Sequence, residues 1–169
     1  ISLLFAISNF IYPQNVTADL FISEYAEGSS YNKYIEIYNG TGATLDLSSY
    51  ELWKISNDGD WVEGSGNNLT LEGTLASENV FVICHTSIDE SIESACDLLN
   101  GSQAMNFNGN DAVGLALNGT LIDAIGEEGD DPGTAWDVAG ITDATKDHTL
   151  VRKMSVTTGN TDWASSAGT

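Results

Sequence analysis

Basic side chains are the scarcest feature of this sequence: 5 Lys and Arg stand against 25 Asp and Glu, giving a formal net charge of -20 and a pI near 4.1. Nucleic-acid recognition through phosphates needs a basic patch, so the chain as a whole is expected not to bind DNA or RNA directly. Acidity of this kind suits solubility in a salty or calcium-rich medium, where a Debye length of about 8 Å at 0.15 M blunts self-repulsion. Histidine is nearly as scarce. His85 and His148 are the only two, and neither sits in a nuclease-like or metalloprotease-like pattern. No nucleophile elbow or oxyanion-type glycine motif accompanies a serine. The sequence therefore gives little support to catalysis, no catalytic residue is assigned, and no cofactor is expected apart from the calcium considered below. The two cysteines, Cys84 and Cys96, lack the paired clusters of a zinc site. They read as a disulfide closing one short loop of an exported protein, worth about 3 kcal/mol on the chain-entropy model, with two buried thiols as the alternative.

Long apolar runs are confined to the beginning. Residues 1–18, ISLLFAISNFIYPQNVTA, contain no charge and end in Val16-Thr17-Ala18. This reads as a secretory signal, clipped at its N-terminus, and points to a secreted, extracellular protein. It is too short to span a bilayer, which takes about 20 residues; a buried first strand is the rival reading. No later segment suits a membrane anchor. Residues 19–169 are expected to form one domain with a proper core, and a closing strand is expected beyond the polar end at Thr169.

What is abundant is β pattern. Leu20 to Tyr25 and Tyr34 to Tyr38 are rich in Ile, Phe and Tyr and bounded by glycine turns, which predicts an antiparallel pair. Further strands are predicted at Leu45–Leu47, Tyr50–Ile55, Leu69–Leu71, Asn79–Cys84, Asp111–Leu117, Thr120–Ile125 and His148–Lys153. The Asn118-Gly119 pair is the best two-residue hairpin turn, because both positions accept positive φ. Ile88, Ile92, Ala95 and Leu99 fall at helical spacing and predict the one short helix. Gly59 to Asn68 and Gly126 to Lys146 read as loops. Short strands separated by turns argue for a sandwich or barrel.

The segments ISEYAEGSSYNKYIEIYNGTG, LDLSSYEL, TLASENVFVI, NFNGNDAVGLALNGTLIDAIGEEGDDPGTAW and KDHTLVRK, in that order, resemble the lamin tail domain (LTD) as found in secreted bacterial proteins. The likeness covers about Leu20 to Trp163. It implies an all-β, immunoglobulin-like β-sandwich that serves as a non-catalytic accessory, binding or adhesion module. The implied partner is an extracellular protein or polysaccharide, with a catalytic domain covalently linked in the longer chain. Two rival roles are a substrate-positioning domain of an extracellular nuclease or phosphatase, and a calcium-stabilised spacer. The chain has no coiled-coil heptads, so the nuclear lamin context does not apply, and Cys84 and Cys96 depart from the commoner bacterial pattern.

Several constellations carry chemistry. If the first hairpin pairs symmetrically about Ser30, Glu24 and Glu36 face each other, and like charges directly opposite are unfavourable unless neutralised. A structural ion pair with Arg152 is the favoured expectation, because a hard cation wants more oxygen ligands than two; a one-residue register shift is the bland rival. Glu127, Glu128, Asp130 and Asp131 crowd one loop and are the calcium candidates, although they do not match the twelve-residue calcium loop. Among Trp53, Trp61, Trp136 and Trp163, Trp61 in its glycine-rich loop is the candidate for ligand binding. Aromatic residues of β domains more often pack in the core. The sequons at Asn39, Asn68, Asn100 and Asn118 are read as turn chemistry.

Overall fold

The computed structural model describes residues 19–62 and 66–168; the proposed signal sequence lies outside the described residues. Alternation sets the first sheet. In the second strand, KYIEIY, every other residue is buried, as expected for a sheet with one face on a core and one toward solvent. β1 (Phe21–Glu27) and β2 (Lys33–Tyr38) are antiparallel neighbours, and β2 pairs in turn with β7 (Val80–His85). β8 (Leu98–Asn100) adds parallel to β7, and β11 (His148–Val151) adds antiparallel to the other side of β1, giving the order β11-β1-β2-β7-β8.

A second sheet runs β10-β9-β4-β5, from β4 (Tyr50–Ile55), β5 (Asn68–Thr70), β9 (Ala112–Leu117) and β10 (Thr120–Ile125). The hairpin between β9 and β10 turns at Asn118 and Gly119, with φ of 50° and 75°, the left-handed region that an Asn-Gly pair tolerates. Two short strands, β3 (Leu45–Asp46) and β6 (Thr74–Leu75), form a third sheet. Between the two large sheets lie Ile22, Tyr25, Ile35, Ile37 and Ile83 from one side and Leu52, Val113, Leu115 and Ile125 from the other, with Phe107 and Met105 also buried in this core. Full burial of each such side chain is worth about 1.5–3 kcal/mol.

The helix expected over Ile88–Leu99 is cut to α1 (Glu90–Glu93), capped by the Asp89 carboxylate on the Ser91 N–H. Tertiary pairing overrides the helical spacing. Asp97 exchanges hydrogen bonds with Val82, backbone N–H to carbonyl at 2.9 Å and carboxylate from N–H at 2.8 Å, and Cys96 is disulfide-bonded to Cys84 in β7. Both draw the chain out of the helix and into β8. The polar C-terminal stretch adds a further helical turn, α2 (Trp163–Ala167). It is capped by Asp162 and ended by Gly168 at φ 72°, and it buries Trp163 and Ala167 four residues apart.

Candidate functional site

Two β-bulges decide which side chains face out and which face in. In β1 the register slips between Ile22 and Glu24, and in β10 between Leu121 and Asp123. A one-residue slip moves a side chain to the other face of its sheet. Glu24 therefore stands directly opposite Glu36 on the outward face, and Asp123 stands opposite core residue Leu115.

Asp123 is fully buried and collects four donors. Its Oδ1 accepts from the N–H groups of Ala124 at 3.0 Å and Asn160 at 2.8 Å and from Arg152 Nη2 at 2.6 Å, and its Oδ2 accepts from the Ile22 N–H at 2.8 Å. Burial pushes this carboxyl up from its ordinary pKa, while the Arg152 guanidinium and the N–H groups of Asn160, Ile22 and Ala124 pull it down, and burial prevails. Arg152 Nη1 donates onward to Ser166 of α2 at 2.9 Å. One carboxylate thus ties β1, β10, the segment after β11 and the last helix together.

This corrects the expected ion pair. Arg152 serves Asp123, and among the described residues no basic nitrogen comes within 4.0 Å of Glu24 or Glu36. The reason is solvation: the Asp123 carboxylate has no water to fall back on, whereas half-buried Glu24 and Glu36 do. Glu24 accepts instead from the Tyr34 hydroxyl at 3.0 Å and Glu36 from the Ser23 hydroxyl at 2.7 Å. Burial raises the Tyr34 phenol above its ordinary pKa, and the neighbouring Glu24 adds to the shift.

Around these two glutamates the outward face is largely apolar. A row across the strands reads Val151, Glu24, Glu36, Val82. On one side lie Phe21, Tyr38 and Val80; on the other lie Ala26, Tyr34 and the Cys84–Cys96 bridge. Phe21 and Tyr38 meet edge to face at 5.6 Å. A groove of about 340 Å³ runs here, floored by Glu24, Glu36 and the Phe21–Tyr38 pair and walled by Val151 and Met154.

The remaining candidates are scattered. Trp61 is half-buried on the outside of the second sheet, where a Cβ added to Gly114 would stand 3.2 Å from its ring, and its backbone N–H donates to the Glu128 carboxylate at 2.7 Å. Trp53, Trp136 and Trp163 are buried, the last two in edge-to-face contact at 5.9 Å. The acidic loop does not gather its carboxylates. Glu128 is held by Trp61, Asp131 accepts from Gly133 and Asn110, and Glu127 and Asp130 are exposed. Among the described residues no three His, Cys, Asp or Glu side chains converge on a point that suits a metal ion. His85 is buried, stacks on Tyr31 at 4.4 Å and accepts from the Ser87 N–H; burial, then the Lys33 charge, lowers its pKa. The sequon residue Asn39 is fully buried and donates to the carbonyls of Ala43 and Leu75, as turn chemistry requires.

The sequence profile of the Lamin Tail Domain family matches residues 13–129. The chain belongs to this family. The matched span of the lamin tail domain contains β1 to β10, the Glu24/Glu36 pair, both cysteines and Asp123, and it stops short of β11, Arg152 and α2. No curated protein matches the chain. Sequence reasoning missed Asp123 as a structural anchor of this lamin tail domain. Its one signal was an acid inside the apolar run Leu121-Ile122-Asp123-Ala124-Ile125.

Proposed function

We propose that this lamin tail domain is a non-catalytic binding or adhesion module of a secreted bacterial protein, attached to a catalytic domain in the longer chain. The observation that carries the reading is the outward face of the five-stranded sheet, where Val80, Leu99 and Val151 are each at least 40% exposed beside the half-buried Tyr34, Tyr38 and Val82. Solvent-facing apolar side chains gathered on one face suit an interaction surface. The disulfide adds support, because such bonds persist in oxidising compartments outside the cell. The ionisable groups that are buried work structurally: Lys33 pairs with Glu27, Lys54 with Asp111 and Arg152 with Asp123. The purified chain is to be assayed on DNA, phosphoesters and polysaccharides, with binding and turnover measured separately. Retention on an extracellular polysaccharide or protein without turnover is the expected result; turnover by the chain itself overturns the reading.

A further inference from the structure

Glu24 and Glu36 present an unresolved charge in an apolar setting. Their Cα positions are in register across β1 and β2, which puts directly opposed side chains about 4.5–5.5 Å apart at Cβ, where like charges destabilise a sheet. Each makes one hydroxyl contact, and neither has a cation within 4.0 Å among the described residues. Arg152 lines the same groove, but its guanidinium is turned to Asp123 and Ser166. Lys153, exposed at the rim, comes no nearer than that 4.0 Å limit to either carboxylate.

From this we infer that the outward face of the five-stranded sheet docks a segment of a partner protein that presents an arginine or lysine between apolar side chains. The inference rests on the module reading above and names the surface and the chemistry of the partner. The cation enters between Glu24 and Glu36, and its apolar neighbours lie on Val151 and Met154 to one side and Val82 and Tyr38 to the other. Charge complementarity selects the occupant. A second copy of this chain would bring its own two glutamates against these two, whereas a basic segment relieves the repulsion. Size agrees. Five strands about 4.8 Å apart, of seven, six, six, four and three residues at about 3.4 Å each, make a face of roughly 400 Å², about half of the roughly 800 Å² per partner of a standard protein interface. An extended peptide fits that area.

The test uses a short labelled peptide bearing an arginine between leucines, its twin with glutamine for arginine, and the full chain in fluorescence anisotropy at physiological salt. Glu24→Gln with Glu36→Gln is compared with Glu72→Gln with Glu93→Gln, which removes the same charge from exposed positions outside the groove. The expected result is that the first double variant and the glutamine twin each weaken binding about tenfold or more, while the control pair changes it less than about twofold. Lys153→Met should tighten binding. The Glu24/Glu36 double variant should also raise the Tm of the unbound chain by about 1–3 °C, because opposed like charges are removed. Equal loss in both double variants means bulk electrostatics alone and overturns the inference, as does failure of the wild-type chain to bind the arginine peptide. If an extracellular ligand is retained undiminished by the Glu24/Glu36 variant, this surface falls and the module reading stands.

Discussion

Replacing Asp123 by alanine should be among the most damaging single changes in the domain. The substitution leaves the Arg152 guanidinium, whose side chain is 14% exposed, without its carboxylate, and strands the N–H groups of Ile22 and Asn160 that now donate to it at 2.8 Å. Removing one partner of a buried ion pair costs about 3–5 kcal/mol, and a buried N–H left without an acceptor costs about 1–3 kcal/mol. These contributions share one site and do not add. A loss of about 4 kcal/mol is expected, a large share of the roughly 5–15 kcal/mol that holds a domain together. For a chain of this length that is a fall in Tm of about 8–16 °C. Asp123→Asn should cost less, about 3 kcal/mol, because its oxygen still accepts from donors of Oδ1, although Arg152 loses its counter-charge and the amide NH2 meets the Ile22 N–H donor against donor. Urea unfolding followed by circular dichroism measures both. A loss below about 1 kcal/mol for Asp123→Ala, or an equal loss for the Glu24→Gln and Glu36→Gln double variant, would refute the assignment of Arg152 to Asp123.

The disulfide and one histidine give two further expectations. Cys84→Ala with Cys96→Ala opens a loop of 12 residues' separation, which the chain-entropy model values at about 3 kcal/mol; hydrogen exchange should rise first at Leu98–Asn100, whose strand pairs with β7 alone. Uniform protection across the sheet would count against that account. Burial and the Lys33 charge lower the His85 pKa, so the unfolded chain takes up this proton first as pH falls. The contribution of His85 is present in full above about pH 6.5, the ordinary imidazole value, and declines as pH falls from there toward the lower folded value. Stability measured against pH in wild type and His85→Gln should converge through that window, and parallel curves would show that His85 does not titrate as described.

Most of the strand pattern was legible because it rests on local signals. Alternation marked β2, and Asn118-Gly119 marked the hairpin of β9 and β10, each without reference to distant residues. The helix over Ile88–Leu99 was overread because its spacing is local while the forces that end it are not. Cys96 and Asp97 both bind β7; the cysteine pairing was readable, but nothing within the window announces the exchange between Asp97 and Val82. The apolar face around Glu24 was legible in part. The two glutamates could be set opposite each other from hairpin symmetry, but Val151 and Val82 join their row only once β11 and β7 take their places on either side.

The mistaken partner for Arg152 follows from the bulge in β10. Strict alternation from the Leu121–Ala116 pair would set Asp123 opposite Gly114, on the outside of the second sheet, where it would be an ordinary solvated acid. The slip sets it opposite Leu115 instead, and a carboxylate carried into the core must find donors there. The bulge in β1 turns the Ile22 N–H toward it. Gly159 lets the returning chain pass close enough for the Asn160 N–H to reach, since a Cβ at that position would stand 2.4 Å from the Ile122 carbonyl oxygen. With three neutral donors in place, one full positive charge completes the site, and Arg152 is the residue positioned to supply it. The same bulge that turns Ile22 inward sets Glu24 outward against Glu36, so closing the sandwich and exposing the carboxylate pair are consequences of one extra residue in β1.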